Sequence, residues 1–517
     1  NGLLVGSGGD VGPVLGHFLA QGQLLVTAGE VEWREGSAAA PRRLLSGVRL
    51  ALDNRGVVHH LELQAALAEA GQGGTLHLSA DLRGESGRPS DWSGPIEFVL
   101  QTQDLGWLAP GGLSPAEQVA GTALDLRGRL GLGKGRFQEF QAQLSVRELS
   151  VAGRVPGHGP LGLEAARIEL EVAADARAGR LQVAGTDLTL RLPEVFGERP
   201  PLRVDHLAGP LDWVLDAVTG LSLSSSGLAA SNPHLGVRLA FRSQVPWKTP
   251  GGDMPVLSDL ALAEAELDLS GEILNATAAH IRDYLPDPQL RPRARAWLDR
   301  AFPAGRVPWG QVLFRGRLAD FPFRQKPGDF QILLRVEDMA LDFDPDWPRL
   351  EGLEGIVHFH NHGLAIATQG GRIHDVPLVE VQASIPDLAE THLLGLRGTA
   401  QGPFAAALGF LGATPLKIVL GALPRLFTAK GLARVDLDMD LPLDREDYPE
   451  DRLRLDGALS WPAQADAGDA GDPGDPGDEP PAAHLALEGT SLVLADLAGA
   501  VSFNAEGVTR SRVLGRF

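Results

Sequence analysis

Asp329 to Glu337 reads DFQILLRVE, and in it Phe330, Ile332, Leu334 and Val336 alternate with Gln331, Arg335 and Glu337. Successive side chains of a strand point to opposite faces, so this stretch predicts a strand with one apolar and one polar face. The pattern resumes at Val357 and Phe359, at Leu364 and Ile366, and at Val379, Val381, Ala383 and Ile385. Antiparallel sheets with one solvated face carry this alternation.

The same rhythm extends outward over most of the chain. Val31 and Trp33 alternate with Glu30 and Glu32, and Leu76, Leu78, Ala80 and Leu82 alternate with His77, Ser79, Asp81 and Arg83. Turn signals at Asp53-Asn54-Arg55-Gly56 and Ala178-Gly179 separate neighbouring runs, and no helical segment lies between them, which predicts meandering hairpins rather than βαβ units. The expected fold is mainly β, with antiparallel strands that each carry one apolar face. Short helices are expected near 276–302 and 403–428. In the first, Leu290, Ala294, Trp297, Leu298 and Ala301 form an apolar stripe opposite Arg291, Arg293, Arg295 and Arg300. That basic face reads either as a solvated helix surface or as a contact for an anionic headgroup or partner.

The expected organisation is an N-terminal strand-rich part over 1–275, a helical insertion at 276–302, a central segment over 303–462, an acidic loop at 463–483, and further strands over 484–517. The acidic loop repeats Asp466, Asp469, Asp472, Asp475 and Asp478 among Gly, Ala and Pro, a composition that buries too little to order itself. An internal repeat is also visible. Leu353, Gly355, Val357, Phe359 and Gly363 recur 144 positions later as Leu497, Gly499, Val501, Phe503 and Gly507, with a fainter copy at Leu207, Gly209, Leu211 and Trp213. A hairpin module used more than once fits a repetitive architecture.

Composition narrows the function. A net charge of −20 argues against nucleic acid and against a basic membrane-surface patch. With no Cys there is no disulfide framework and no thiolate metal site. The window Phe404–Leu423 is apolar enough to imitate a membrane span, but Pro415 and its glycines favour short helices packed on a sheet. His358, His360 and His362 would project to one face of a strand and could bind a metal. The equivalent positions in the second repeat are Ser502, Asn504 and Glu506, so the module does not require them. Asp342, Asp344 and Asp346 start like a calcium loop, but Trp347 occupies the place where that loop must turn on Gly. No nucleophile elbow, phosphate loop or dinucleotide fingerprint is present, so neither a catalytic residue nor a cofactor or metal is assigned.

Tyr284-Leu285-Pro286, Trp297-Leu298, Gly305, Gly316, Phe321-Pro322-Phe323, Phe330, Trp347-Pro348, Gly355 and Phe359 together resemble the central region of the YhdP family, AsmA-like proteins of Gram-negative bacteria. The likeness is specific from about Ala279 to Leu416. It implies a long, curved antiparallel sheet forming an open hydrophobic groove, in a periplasmic protein anchored in the inner membrane by a helix outside this chain. The implied function is intermembrane phospholipid transport that supports the outer-membrane barrier, without catalysis. The implied partners are phospholipid, the inner membrane, and outer-membrane or envelope proteins. On this reading the lipid-binding residues are Phe330, Ile332, Leu334, Val336, Val357, Phe359, Leu364, Ile366, Val379, Val381 and Ile385. The competing expectation is a structural envelope protein whose apolar faces close on each other as a sandwich or solenoid.

Overall fold

The computed structural model describes residues 20–33, 43–67, 73–85, 88–105, 118–155, 159–197, 199–248, 260–285, 292–325, 327–388, 390, 393–414, 426–442, 453–461 and 482–517. The acidic tract at 463–481 and the segment 415–425 lie outside them. The chain forms two compact units: residues 1–233 with 237–268 and 286–289, and residues 234–236 with 269–285 and 290–517.

The first unit carries β1 (Gln23–Trp33), β2 (Arg43–Arg55), β3 (Val58–Leu67), β4 (Gly74–Arg83), β5 (Gly94–Thr102) and β6 (Gln118–Gly133). It continues with β7 (Arg136–Val155), β8 (Gly159–Asp175), β9 (Ala178–Arg191), β10 (Leu202–Asp216), β11 (Gly220–Asn232) and most of β12 (Leu235–Val245), and α1 (Pro193–Phe196) interrupts the ladder briefly. Each strand from β1 to β10 pairs antiparallel with the next in sequence. The turn expected at Ala178-Gly179 sits two residues earlier. Asp175 accepts from the backbone N–H groups of Arg177 and Ala178 there, at 2.7 and 2.8 Å, and Ala178 already belongs to β9.

The second unit holds most of β13 (Glu266–Thr277), then α2 (Pro292–Ala301), β14 (Ala304–Arg317), β15 (Gly328–Leu341), β16 (Leu350–His360), β17 (Gly363–Gln369), β18 (Arg372–Ile373) and β19 (Val376–Ile385). After β20 (Leu393–Pro403) come α3 (Phe404–Ala413), β21 (Phe427–Lys430), β22 (Leu432–Pro442), β23 (Arg454–Trp461), β24 (His484–Leu487), β25 (Val493–Asn504) and β26 (Gly507–Arg516). The ladder again follows chain order, with β21 and β24 forming a side branch onto β25. The short helices expected near 276–302 are a 3-10 stretch over Ala278–Tyr284 and then α2.

Bulges punctuate these strands. Ala28, Ala123, Glu148, Asp187, Asn275, Asp338 and Asp496 all adopt positive φ near 50°, as does Gly352 at 63°. Ala123 and Glu148 fall beside one another where the β6–β7 register slips, and the gap in pairing continues through Ala166 of β8 to Asp187 of β9 with the register kept. An extra residue bends its strand and tightens the local twist, so aligned bulges crease the sheet along a line.

The 144-residue repeat is a hairpin. β16 turns into β17, and β25 turns into β26, with the bulge residues Gly352 and Asp496 also 144 apart. The shared glycine has a steric cause. A Cβ on Gly355 would sit 2.2 Å from the Ala367 carbonyl oxygen, one on Gly499 2.0 Å from that of Arg512, and one on Gly209 2.6 Å from that of Gly227. In each copy the neighbouring backbone occupies the side-chain position.

Candidate functional site

Cross-strand register gathers the apolar side chains into rows that run from strand to strand. In the first unit one row reads Val26, Leu50, Leu63, Leu78, Phe98, Gly128, Ala142, Val172, Leu181 and Leu211. All but Ala142 remain partly exposed. Gly128 leaves space for the Phe98 ring, which would meet a Cβ there at 2.5 Å, and Phe98 stacks on Phe140 at 6.1 Å.

The opposite face of this unit is polar. Gln101, Asp125, Arg127, Gln143, Arg147, Arg167, Glu169 and Glu171 line a hollow of about 770 Å³ there. Two of its cations pair with neighbouring carboxylates, Arg127 with Asp125 at 3.0 Å and Arg167 with Glu169. The Arg127 guanidinium holds the Asp125 carboxyl below its ordinary range.

In the second unit the row nearest the hairpin tips reads Val312, Ile332, Phe359, Leu364 and Ile385. The next reads Gly310, Leu334, Val357, Ile366, Ala383, Leu396, Met439 and Leu455. A third runs Val336, Gly355, Thr368, Val381, Gly398, Leu437, Gly457 and Phe503.

These rows divide the eleven residues expected on one uncovered face. Phe330, Ile332, Val357, Phe359, Leu364 and Ile366 are partly exposed on it. Leu334, Val336, Val381 and Ile385 lie on the same face but are buried, and core residues from α3 and from the loop around Trp347 cover the first three of them. Phe404, Ala407, Phe410 and Leu411 of α3 and Phe343 and Trp347 of the loop join Leu334, Val336 and Val381 in one cluster. Val379 does not share the face at all. The register slips between Leu378 and Glu380, so Leu378 turns inward and Val379 outward, 49 % exposed. The face is therefore open along the hairpin tips from Val312 to Leu364 and closed beneath α3.

The sequence motifs have local jobs. Gly316 pairs with Gly328, and the Phe323 ring packs where their side chains would be, 2.8 and 2.2 Å from the two Cβ positions. Phe321 then reaches Phe330 at 5.1 Å and stays half exposed at the end of the open rows. This aromatic group, completed by Phe314, extends the apolar face beyond the alternating residues. Trp347 is a core residue against Phe343 and Phe410, while Asp344 accepts from the Asp346 N–H and shapes the acidic turn.

The remaining candidates are tied up in structure. His358 and His360 stack at 5.8 Å on the polar face, His360 lies 3.3 Å from Asp329, and His362 belongs to the turn instead. Among the described residues no group of three His, Cys, Asp or Glu is placed to hold a metal. On α2, Arg300 donates to the Phe343 carbonyl and lies 4.0 Å from Asp342. No helix among the described residues is long and apolar enough to cross a membrane.

The class these features define is a β-sheet protein with an apolar surface continuous over many strands and partly open to water. A family model described as YhdP protein matches residues 162–517, well over half the chain. The chain belongs to the YhdP family. In Escherichia coli (strain K12), the intermembrane phospholipid transporter YhdP is 26 % identical over 248 residues, covering 48 % of this chain and 18 % of that relative. The chain thus spans a minor part of that relative's length. No solved structure matches it.

Proposed function

We propose that the chain conducts phospholipid between the two membranes of a Gram-negative envelope, with acyl chains lying on the open apolar rows and headgroups in water. The observation that carries this is the unbroken run of partly exposed apolar side chains across consecutive strands, most clearly Val312, Ile332, Phe359 and Leu364. Each methylene moved from water onto such a surface gains about 0.8 kcal/mol. A surface of nearly uniform chemistry also holds no deep well, which lets the lipid slide. The name of the E. coli relative supports the substrate class.

On this reading the protein works in the periplasm without catalysis, is anchored in the inner membrane through another part of the polypeptide, and serves the outer-membrane barrier. Photocrosslinkers at Ile332 and Phe359 should capture phospholipid, whereas probes at Arg335 and His358 on the polar face should not. Equal labelling of both faces would sink the proposal.

A further inference from the structure

The hollow on the polar face of the first unit takes no part in lipid conduction, yet its lining is ordered. Gln101, Asp125, Ser145 and Glu169 pair in register across β5, β6, β7 and β8. Two residues along, Arg127, Gln143, Glu171 and Gln182 do the same across β6, β7, β8 and β9. Both rows line the hollow. So does Ala123, at the slip in the β6–β7 register, and a bulge of this kind bends its strand.

Charge and hydrogen-bonding capacity define what fits. The lining sets Arg127, Arg147 and Arg167 against Asp125, Glu169 and Glu171, three of each sign, in a chain that carries −20. The segment 106–117 after β5 lies outside the described residues, and its one charged residue is Glu117. Neither a polyanion nor a polycation finds a strong net attraction here. Each glutamine amide offers a donor and an acceptor, the guanidinium groups donate and the carboxylates accept. Adjacent sugar hydroxyls offer both in return. These groups repeat at the strand spacing of about 4.8 Å, close to the length of one ring in an extended glycan. The sheet also stands between this hollow and the apolar rows, so a glycolipid with its tails on those rows cannot place its sugar here.

We infer that the hollow binds a free, uncharged, linear glycan, a role separate from lipid conduction. The lining holds no aromatic ring to add stacking area, so the expected Kd is on the order of 1 mM.

The test is saturation-transfer NMR on the full 517-residue chain with cellotetraose and chitotetraose. Both should bind at about 1 mM, and high salt should leave the affinity unchanged, since no net charge is recognised. Gln143→Ala and Gln182→Ala should each weaken binding about two- to tenfold. Both side chains are exposed, so the result does not depend on refolding. Gln382→Ala, an exposed glutamine on β19 of the second unit, should change nothing. No transfer to either sugar at about 10 mM, or binding unmoved by both substitutions in the hollow, overturns the site. Tighter binding of polygalacturonate or of a neutral tetrapeptide overturns the ligand class. Displacement of the sugars by vesicles of a neutral diglucosyl lipid assigns the hollow to a headgroup and overturns the free glycan. None of these outcomes bears on phospholipid capture at Phe359.

Discussion

At the scale of single residues, backbone proximity decides more than side-chain chemistry. Gly355 and Gly398 belong to the same cross-strand row, yet a Cβ on Gly355 meets a carbonyl oxygen at 2.2 Å whereas one on Gly398 finds its nearest neighbour, a Val381 methyl, at 3.5 Å. Gly355→Ala should cost about 2 kcal/mol and Gly398→Ala much less, as checked by denaturant unfolding of the two variants side by side. The turn aspartates make a second kind of prediction. Asp216 accepts from the N–H groups of Val218 and Thr219 at 2.9 and 2.8 Å and from the Thr219 hydroxyl, and these bonds hold its pKa below the ordinary 3.8. The folded state therefore binds this proton less readily than the unfolded one, and the turn's stabilisation is fully present above the ordinary value. It is lost as pH falls through the depressed one. Amide exchange at Val218 and Thr219 should accelerate over that acid window, and Asp216→Asn should remove the pH dependence.

At the scale of elements, the strands were legible because burial on one face imposes period two, and the three-residue alternations at Phe330–Leu334 and Leu76–Ala80 identify the inward faces directly. Bulges were not legible. Asp187, Asn275, Asp338 and Asp496 are residue types that tolerate positive φ, but Ala28, Ala123 and Glu148 give no such signal. Their positions are set by the neighbouring strands. Val379 shows the consequence: alternation with Val381 and Ile385 puts it on the apolar face, and the register slip between Leu378 and Glu380 turns it outward instead. α3 was legible as a helix packed on the sheet, but not which side chains it covers, because its sequence carries no charge to mark an outer side. Two predictions belong here. Ala123→Gly should stabilise the first unit by up to about 1 kcal/mol by relieving the left-handed backbone at φ 51°. Phe404, 1 % exposed at the start of α3 and in edge contact with Trp461 at 5.2 Å, should cost about 3 to 5 kcal/mol when cut to Ala. Trp461 fluorescence should shift to the red as water reaches it.

At the scale of the molecule, strand pairing in chain order means that each side chain depends on its immediate neighbours, and repetitive arrays of this kind lose stability locally. That separates function from folding. Phe359 lies on the open row between Ile332 and Leu364 and is not part of the buried cluster under α3. A carboxylate there keeps its water on the exposed side, so unfolding is not forced, yet it places a charge in the middle of the apolar path. Moving a lipid tail past it requires stripping that charge of water, or lifting several methylenes off the surface at about 0.8 kcal/mol each. Phe359→Asp should therefore abolish lipid capture by a crosslinker at Ile332, while hydrogen exchange in β22, β23 and β25 stays at the wild-type level. The outward control Ile356→Asp, three residues away on the polar face next to Arg335, should leave capture unchanged. If both substitutions block capture equally, the face does not matter and the conduit is wrong. If Phe359→Asp also releases the exchange protection of β22 to β25, the row is core rather than path.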